Sequence, residues 1–121
     1  MIEDEKLMIG DLAAALQLFA KEREWDRFHT PKNLATAISV ESAELLEHFQ
    51  WSRGSIGWHE LSDENFKNKV QEELADILLY VIRFADLANI NLQSCAEDKI
   101  RRNGEKYPVE RFKGTDKKYN E

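Results

Sequence analysis

Two pairs of acidic residues in this chain have a spacing that could bind a metal ion. Glu41 and Glu44 are three residues apart, and so are Glu73 and Asp76. Residues three apart in a helix lie on one face, so each pair would present two carboxylates together. Carboxylate oxygens are the ligands that hard cations such as magnesium prefer. If their helices bring these four residues, the acidic cluster, to one place, they are predicted to bind magnesium.

The acid pairs also border the helix faces that are predicted to be buried. On a helical wheel, Glu73 and Asp76 share a strip with Tyr80, and Glu41 borders the arc that carries Leu34. A carboxylate beside apolar surroundings is costly unless a cation neutralises it. The alternative is an ordinary solvated face, because 23 of the 121 residues are acidic and the same spacing also arises by chance.

Iron and zinc fit the pattern less well than magnesium. Di-iron helical bundles use a Glu-x-x-His step, whereas the residue three positions before His48 is Leu45. Zinc sites need clustered histidine or cysteine, and here three histidines and one cysteine are scattered without a His-Glu-x-x-His motif.

The elements that must position these acids are predicted to be helices. Apolar residues recur at spacings of three and four, and only two prolines are present, which predicts an all-α fold, a four- to five-helix bundle. Thr30-Pro31 and Asn91 are typical helix starts, and residues 53–57, with two glycines, are predicted to form a loop. The helices are expected at about residues 8–24, 30–51, 62–88 and 91–106.

The third predicted helix indicates an oligomer. Between Leu74 and Ala88 its apolar residues cover most of the helix circumference, with interruptions at Tyr80, Arg83 and Asp86. A helix that is apolar on most sides must be covered on most sides. We therefore expect a second subunit, in a homodimer or a homotetramer, to cover what one chain leaves exposed.

Composition limits the class of protein. The length suits one domain, residues 1–121, with residues 1–7 and 114–121 flexible or partner-bound. A net charge of −6 argues against a nucleic acid polymer as partner. The interrupted apolar stretch and the acidic N-terminus indicate neither a membrane segment nor an export signal. The single cysteine, Cys95, fits a cytoplasmic location.

Several motifs in register identify a family resemblance. Besides Glu41-x-x-Glu44 and Glu73-x-x-Asp76, they comprise residues 24–34, 49–51, 71–80 and 99–108. Together they resemble the all-alpha MazG-type nucleotide pyrophosphohydrolases, and within them the dCTP pyrophosphatase branch. The resemblance covers roughly residues 12–119.

The resemblance implies a role for each site residue. The acidic cluster, Glu41, Glu44, Glu73 and Asp76, would hold catalytic Mg²⁺, with Mn²⁺ as a substitute. The substrate would be bound by Trp25 and Trp51 at the base and sugar, by Tyr80 in the pocket, and by Lys99, Asn103 and Lys106 at the phosphates. The last three share one helical face, which suits a phosphate chain. An ordinary basic patch and core-closing tryptophans are the alternatives for these residues.

The expected reaction converts a deoxynucleoside triphosphate and water into the monophosphate and diphosphate, as nucleotide-pool housecleaning. Water would attack the α phosphorus, with Glu44 as the favoured base. The substrate is expected to be dCTP or a broader set, because Leu16 stands where the animal dCTP enzymes carry a base-pocket histidine. His29 and His48 are interpreted as capping or packing residues. The alternative is a non-catalytic helical module that senses nucleotides or binds a protein.

Overall fold

The computed structural model describes residues 8–52 and 58–117, and within these ranges the chain is all-helical. Two short 3-10 turns, Asp26–Phe28 and His59–Ser62, join longer elements. The α-helices are α1 (Ile9–Glu22), α2 (Pro31–Glu47), α3 (Glu64–Leu87), α4 (Leu92–Lys106) and α5 (Val109–Phe112). The predicted all-α class is confirmed. None of the helices in the described ranges is long and apolar enough to cross a membrane.

The chain divides into two compact units, Met1–Asn89 and Ile90–Glu121. In the first unit, α3 packs against both α1 and α2. All three helices contribute to a small apolar core, which consists of Ala20, Leu34, Val70, Ile82 and Ala85. The central position of α3 places Glu73 beside His48 at the end of α2, and Arg83 against Asp26 and His29 in the α1–α2 connection.

Side-chain caps explain where three of the helices begin. Thr30 Oγ1 accepts a hydrogen bond from Asn33 N at 3.2 Å, and Pro31 follows as the first residue of α2. The Asn91 side chain accepts from Ser94 N at 3.0 Å, as its residue type predicts. At the start of α3 the cap is Asp63 rather than Ser62.

The end of α2 differs from the prediction. The helix was expected to continue to about Trp51, but it ends at Glu47. Beyond it, His48 N bonds to Leu45 O at 3.2 Å, so the helix tightens into turns with three-residue spacing. The loop predicted at residues 53–57 and the terminal segments 1–7 and 118–121 lie outside the described residues.

The second unit contains α4 and α5. Tyr107-Pro108 separates these helices, as predicted, but the short helix α5 that follows was not expected. The rings of Tyr107 and Phe112 pack edge to face with centroids 4.9 Å apart. This contact links the end of α4 to the end of α5.

The apolar surface of α3 is only partly covered. Ile82 and Ala85 are buried, whereas Leu74 is 52% exposed and Leu78 is 47% exposed. Leucines half exposed on a helix that is otherwise central to the core leave room for another apolar surface. The oligomer therefore remains a prediction, and Leu74 and Leu78 mark the surface that a second subunit would cover.

Candidate active site

Helices α2 and α3 bring three residues of the acidic cluster together. Glu41, Glu73 and Asp76 each offer one carboxylate oxygen, and these oxygens all lie within 4.8 Å of one another. Glu41 and Glu73 are half-buried and Asp76 is exposed. The three carboxylates could therefore bind one cation that enters from the solvent side.

Two oxygens of this cluster are buried without a partner. Neither Glu41 Oε2 nor Glu73 Oε2 has a hydrogen-bond partner in residues 8–52 and 58–117. The pKa of Glu41 is raised, first by the adjacent carboxyl group of Glu73 and next by burial. A proton or a cation must therefore neutralise part of the negative charge here. The donor set of oxygens alone fits a hard divalent cation.

Glu44 lies at the edge of this group. It is half-buried and is not among the three residues whose oxygens converge within 4.8 Å. The pKa of Glu44 is raised, chiefly by the adjacent carboxyl group of Glu41 and its negative charge. Glu44 thus couples to the cluster through Glu41 and holds a proton more strongly than an ordinary glutamate.

His48 contacts the acidic cluster from the end of α2. Its Nε2 lies 3.7 Å from Glu73 Oε1, and its ring packs edge to face against Phe66. The sequence positions no partner for His48, whereas in the structure the end of α2 turns the imidazole towards Glu73 of α3. His48 also lines a cavity of about 440 Å³ that includes Trp51, whose side chain is 88% exposed.

Trp25 follows α1 and is 43% exposed. Its ring packs edge to face against Phe19 at 5.5 Å and against His29 at 6.3 Å. Tyr80 and Leu16 are half-buried in α3 and α1. The indole of Trp25 therefore contacts the rings of Phe19 and His29, and part of its surface is accessible to solvent.

The buried position of Arg83 was not predicted from the sequence, in which this residue only interrupts an apolar stretch. Arg83 is 3% exposed, and its guanidinium bonds to both Asp26 and His29. The sequence likewise positions no partner for His29, whereas the structure gives it one in Arg83. A charged residue on an apolar helix face was the available signal, because burying an arginine requires specific partners.

The residues predicted to contact phosphates lie on α4, in the second unit. Lys99, Asn103 and Lys106 are all exposed. On α4, Arg101 bridges Asp98 and Glu105 at 2.8 Å each, and Arg102 Nε lies 2.9 Å from Asp98. Asp98 and Glu105 are thus paired with arginines of the same helix.

These features define an all-α protein with acid pairs on adjacent helices and a half-buried, metal-compatible centre between them. The chain belongs to the MazG-like family, which its residues 36–121 match. It is similar to dCTP pyrophosphatase 1 of Rattus norvegicus, with 35% identity over 101 residues that cover 84% of this chain and 59% of the relative. Against dCTP pyrophosphatase 1 of Homo sapiens, the identity is 35% over 107 residues, which cover 85% and 61%.

The chain thus spans about three-fifths of the length of these relatives. Among solved structures, it is similar to a pyrophosphatase from Archaeoglobus fulgidus, with a TM-score of 0.77 and 41% identity. That likeness covers 89% of this chain and 99% of the other. The fold and the family are therefore shown by sequence and by structure together.

Proposed function

We propose that this protein is a magnesium-dependent nucleoside triphosphate pyrophosphohydrolase that converts a deoxynucleoside triphosphate and water into the monophosphate and diphosphate. The observation that carries the proposal is the convergence of Glu41, Glu73 and Asp76, with buried carboxylate oxygens that need a cation. The similar proteins are a dCTP pyrophosphatase and a pyrophosphatase, which supports the same reaction class.

In this proposal Glu41, Glu73 and Asp76 hold a divalent ion, with Glu44 beside them. When bound, such an ion supplies positive charge to the phosphate chain and lowers the pKa of nearby water. Mn²⁺ has the same preference for oxygen ligands and would serve as a substitute. Among the residues that the structure describes, Glu41 Oε2 and Glu73 Oε2 are buried without a hydrogen-bond donor, and a bound cation would compensate for this loss of hydration.

Glu44 is proposed as the base. Water attacks the α phosphorus, the bond from that phosphorus to the α–β bridging oxygen breaks, and diphosphate leaves with the bridging oxygen. The proton from water passes to the Glu44 carboxylate. The raised pKa of Glu44 supports this assignment, because a carboxylate accepts a proton better when its pKa is closer to the working pH.

The remaining predicted residues would bind the substrate. Lys99, Asn103 and Lys106 offer two ammonium groups and an amide on one face of α4, which suits a triphosphate. Trp25, Trp51 and Tyr80 offer aromatic surface for the base and sugar, and both tryptophans are substantially exposed. Leu16 supplies no hydrogen bond to a base, so we propose a set of deoxynucleotides broader than dCTP alone.

A nucleotide panel tests the proposal. The four deoxynucleoside triphosphates, dUTP and the ribonucleotides are incubated with Mg²⁺, with Mn²⁺ or with a chelator, and the products are separated by anion exchange. We expect monophosphate and diphosphate in equal amounts, several deoxynucleotides as substrates, and no turnover with the chelator. Absence of turnover with every nucleotide would favour the non-catalytic module instead, and release of orthophosphate would contradict the proposed bond cleavage.

A further inference from the structure

The side chain of Arg83 is the most deeply buried charge in the described part of the chain, with 3% exposure. Its Nε donates a hydrogen bond to His29 Nδ1 at 3.0 Å, and its Nη2 donates to Asp26 Oδ1 at 2.6 Å. The partners are 54 and 57 residues away along the chain. Arg83 therefore ties the C-terminal part of the long helix α3 to the short connection between α1 and α2.

Stability alone is a poor explanation for this arginine. Arg83 Nη1 is buried and has no hydrogen-bond partner in residues 8–52 and 58–117. A buried donor left unbonded costs about 1–3 kcal/mol, and replacing buried charges by apolar residues is often neutral or stabilising. The specific geometry of the two bonds that Arg83 does make is therefore the feature to explain.

Both bonds end beside Trp25. Asp26 is the next residue, and His29 contacts the indole ring at a centroid distance of 6.3 Å. On the other side, the end of α1 fixes the Trp25 backbone, because Trp25 N donates to Ala20 O at 2.9 Å. Trp25 is thus held by α1 through its backbone and by α3 through the side chains of Asp26 and His29.

We propose that Arg83 is a positioning residue that sets the orientation of the Trp25 indole through Asp26 and His29. The benefit of this orientation rests on the proposed function, in which Trp25 contacts the nucleotide base or sugar. A preorganised aromatic surface binds a base with less loss of side-chain entropy than a mobile one. Arg83 itself touches neither substrate nor metal in this account.

The first test observes Trp25 directly, without substrate. The protein is labelled with 5-fluorotryptophan, and the Trp25 resonance among the three tryptophans is assigned with Trp25→Phe. In Arg83→Gln and in Asp26→Ala we expect the Trp25 resonance to shift and broaden while those of Trp51 and Trp58 stay in place. The controls are Arg27→Gln, an exposed arginine of the same turn, and Asp86→Ala, an exposed acid of α3.

Asp26→Ala keeps the test decisive if Arg83→Gln does not fold, because the Asp26 side chain is 60% exposed and its loss spares the core. An unmoved Trp25 resonance in a folded variant would overturn the proposal. So would equal shifts of all three tryptophan resonances, which would mean that the variants loosen the whole unit.

The second test uses turnover. In Asp26→Ala, Arg83→Gln and Trp25→Ala we expect the KM for the nucleotide to rise about 10-fold while kcat stays within about threefold, because binding rather than chemistry is altered. The double variant Arg83→Gln/Trp25→Ala should be no worse than Trp25→Ala alone, because residues acting through one another are not additive. Additive losses would overturn the proposal. If the wild-type protein hydrolyses no nucleotide, the proposed function fails, yet the resonance comparison still decides whether Arg83 orients Trp25.

Discussion

In the acidic cluster, proton binding and the proposed metal binding are linked. The neighbouring carboxyl groups, Glu73 beside Glu41 and Glu41 beside Glu44, raise the pKa values of Glu41 and Glu44. Without a cation, the folded protein therefore holds protons that the unfolded chain releases, so these groups contribute less stability as the pH rises above their ordinary pKa. A divalent ion removes this disadvantage by neutralising the ionised carboxylates.

Substitution of a single acid should stop the reaction and leave the fold intact. We expect Glu41→Gln or Asp76→Asn to lower kcat by at least about 100-fold, because each removes a charged cation ligand. Neither substitution creates a cavity, so the melting temperature without metal should not fall. Steady-state kinetics and circular dichroism check both outcomes. Glu72→Gln, which changes an exposed neighbour in α3, should keep full activity. An equal loss of kcat in Glu72→Gln would show that the acidic cluster is not specifically required.

The His29 side chain gives a second prediction, on pH. Burial lowers the pKa of His29, and the positive charge of Arg83 lowers it further. The stability from neutral His29 is therefore complete above the ordinary histidine pKa of about 6.5 and is lost as the pH falls through the lowered folded pKa. Urea denaturation between about pH 5 and pH 8 should show this loss for the wild type. His29→Gln should lose less stability over that range, and an unchanged profile would contradict the assignment.

The acids could be predicted from sequence, whereas Arg83 could not. The spacing Glu41-x-x-Glu44 and Glu73-x-x-Asp76 is local and is visible in the printed chain. The partners of Arg83 lie 54 and 57 residues away, so no local pattern joins them. An arginine within an apolar stretch is equally compatible with a side chain that reaches solvent.

At the scale of elements, the end of α1 shows how a helix is stopped without glycine. Glu24 has a φ of 54°, in the left-handed region, and lets Glu24 N bond to Lys21 O at 3.1 Å and Trp25 N bond to Ala20 O at 2.9 Å. This pair of bonds is the Schellman arrangement, in which glycine is the favoured residue. Asn89 takes the same conformation after α3, with a φ of 56°.

Replacing Glu24 with glycine should stabilise the first unit. A non-glycine residue in the left-handed region costs about 1 kcal/mol, and asparagine costs less than most. We expect Glu24→Gly to raise the free energy of unfolding by about 0.5–1 kcal/mol, and Asn89→Gly to change it by less. Urea denaturation with unchanged m-values measures both. A larger gain at Asn89 than at Glu24 would contradict this account of the two helix ends.

Helix starts were easier to predict than helix ends. Thr30-Pro31 and Asn91 carry their capping groups in their own side chains, and the structure uses both. The end of α2 at Glu47 is set by backbone bonds of three-residue spacing, which leave no mark on residue type. The short helix α5 depends on the contact between Tyr107 and Phe112, which a periodicity argument does not detect.

At the scale of the whole molecule, the half-exposed leucines of α3 predict self-association. Leu74 and Leu78 are four residues apart, so they share one face and form a continuous apolar strip. We expect light scattering to give a mass of two or four times 14.1 kDa. Leu74→Glu/Leu78→Glu should shift this mass to that of the monomer, whereas Asn65→Glu, at an exposed polar position on the opposite side of the same helix, should not. A monomeric wild-type protein would contradict the prediction.

Hydrolysis in water enriched with ¹⁸O tests the central claim most directly. In the proposed mechanism, water attacks the α phosphorus at the acidic cluster. The heavy oxygen should therefore appear in the nucleoside monophosphate, and the diphosphate should stay unlabelled. The labelled product should disappear in Glu41→Gln and when Mg²⁺ is removed. Heavy oxygen in the diphosphate, or in orthophosphate, would place the attack on another phosphorus and contradict the account.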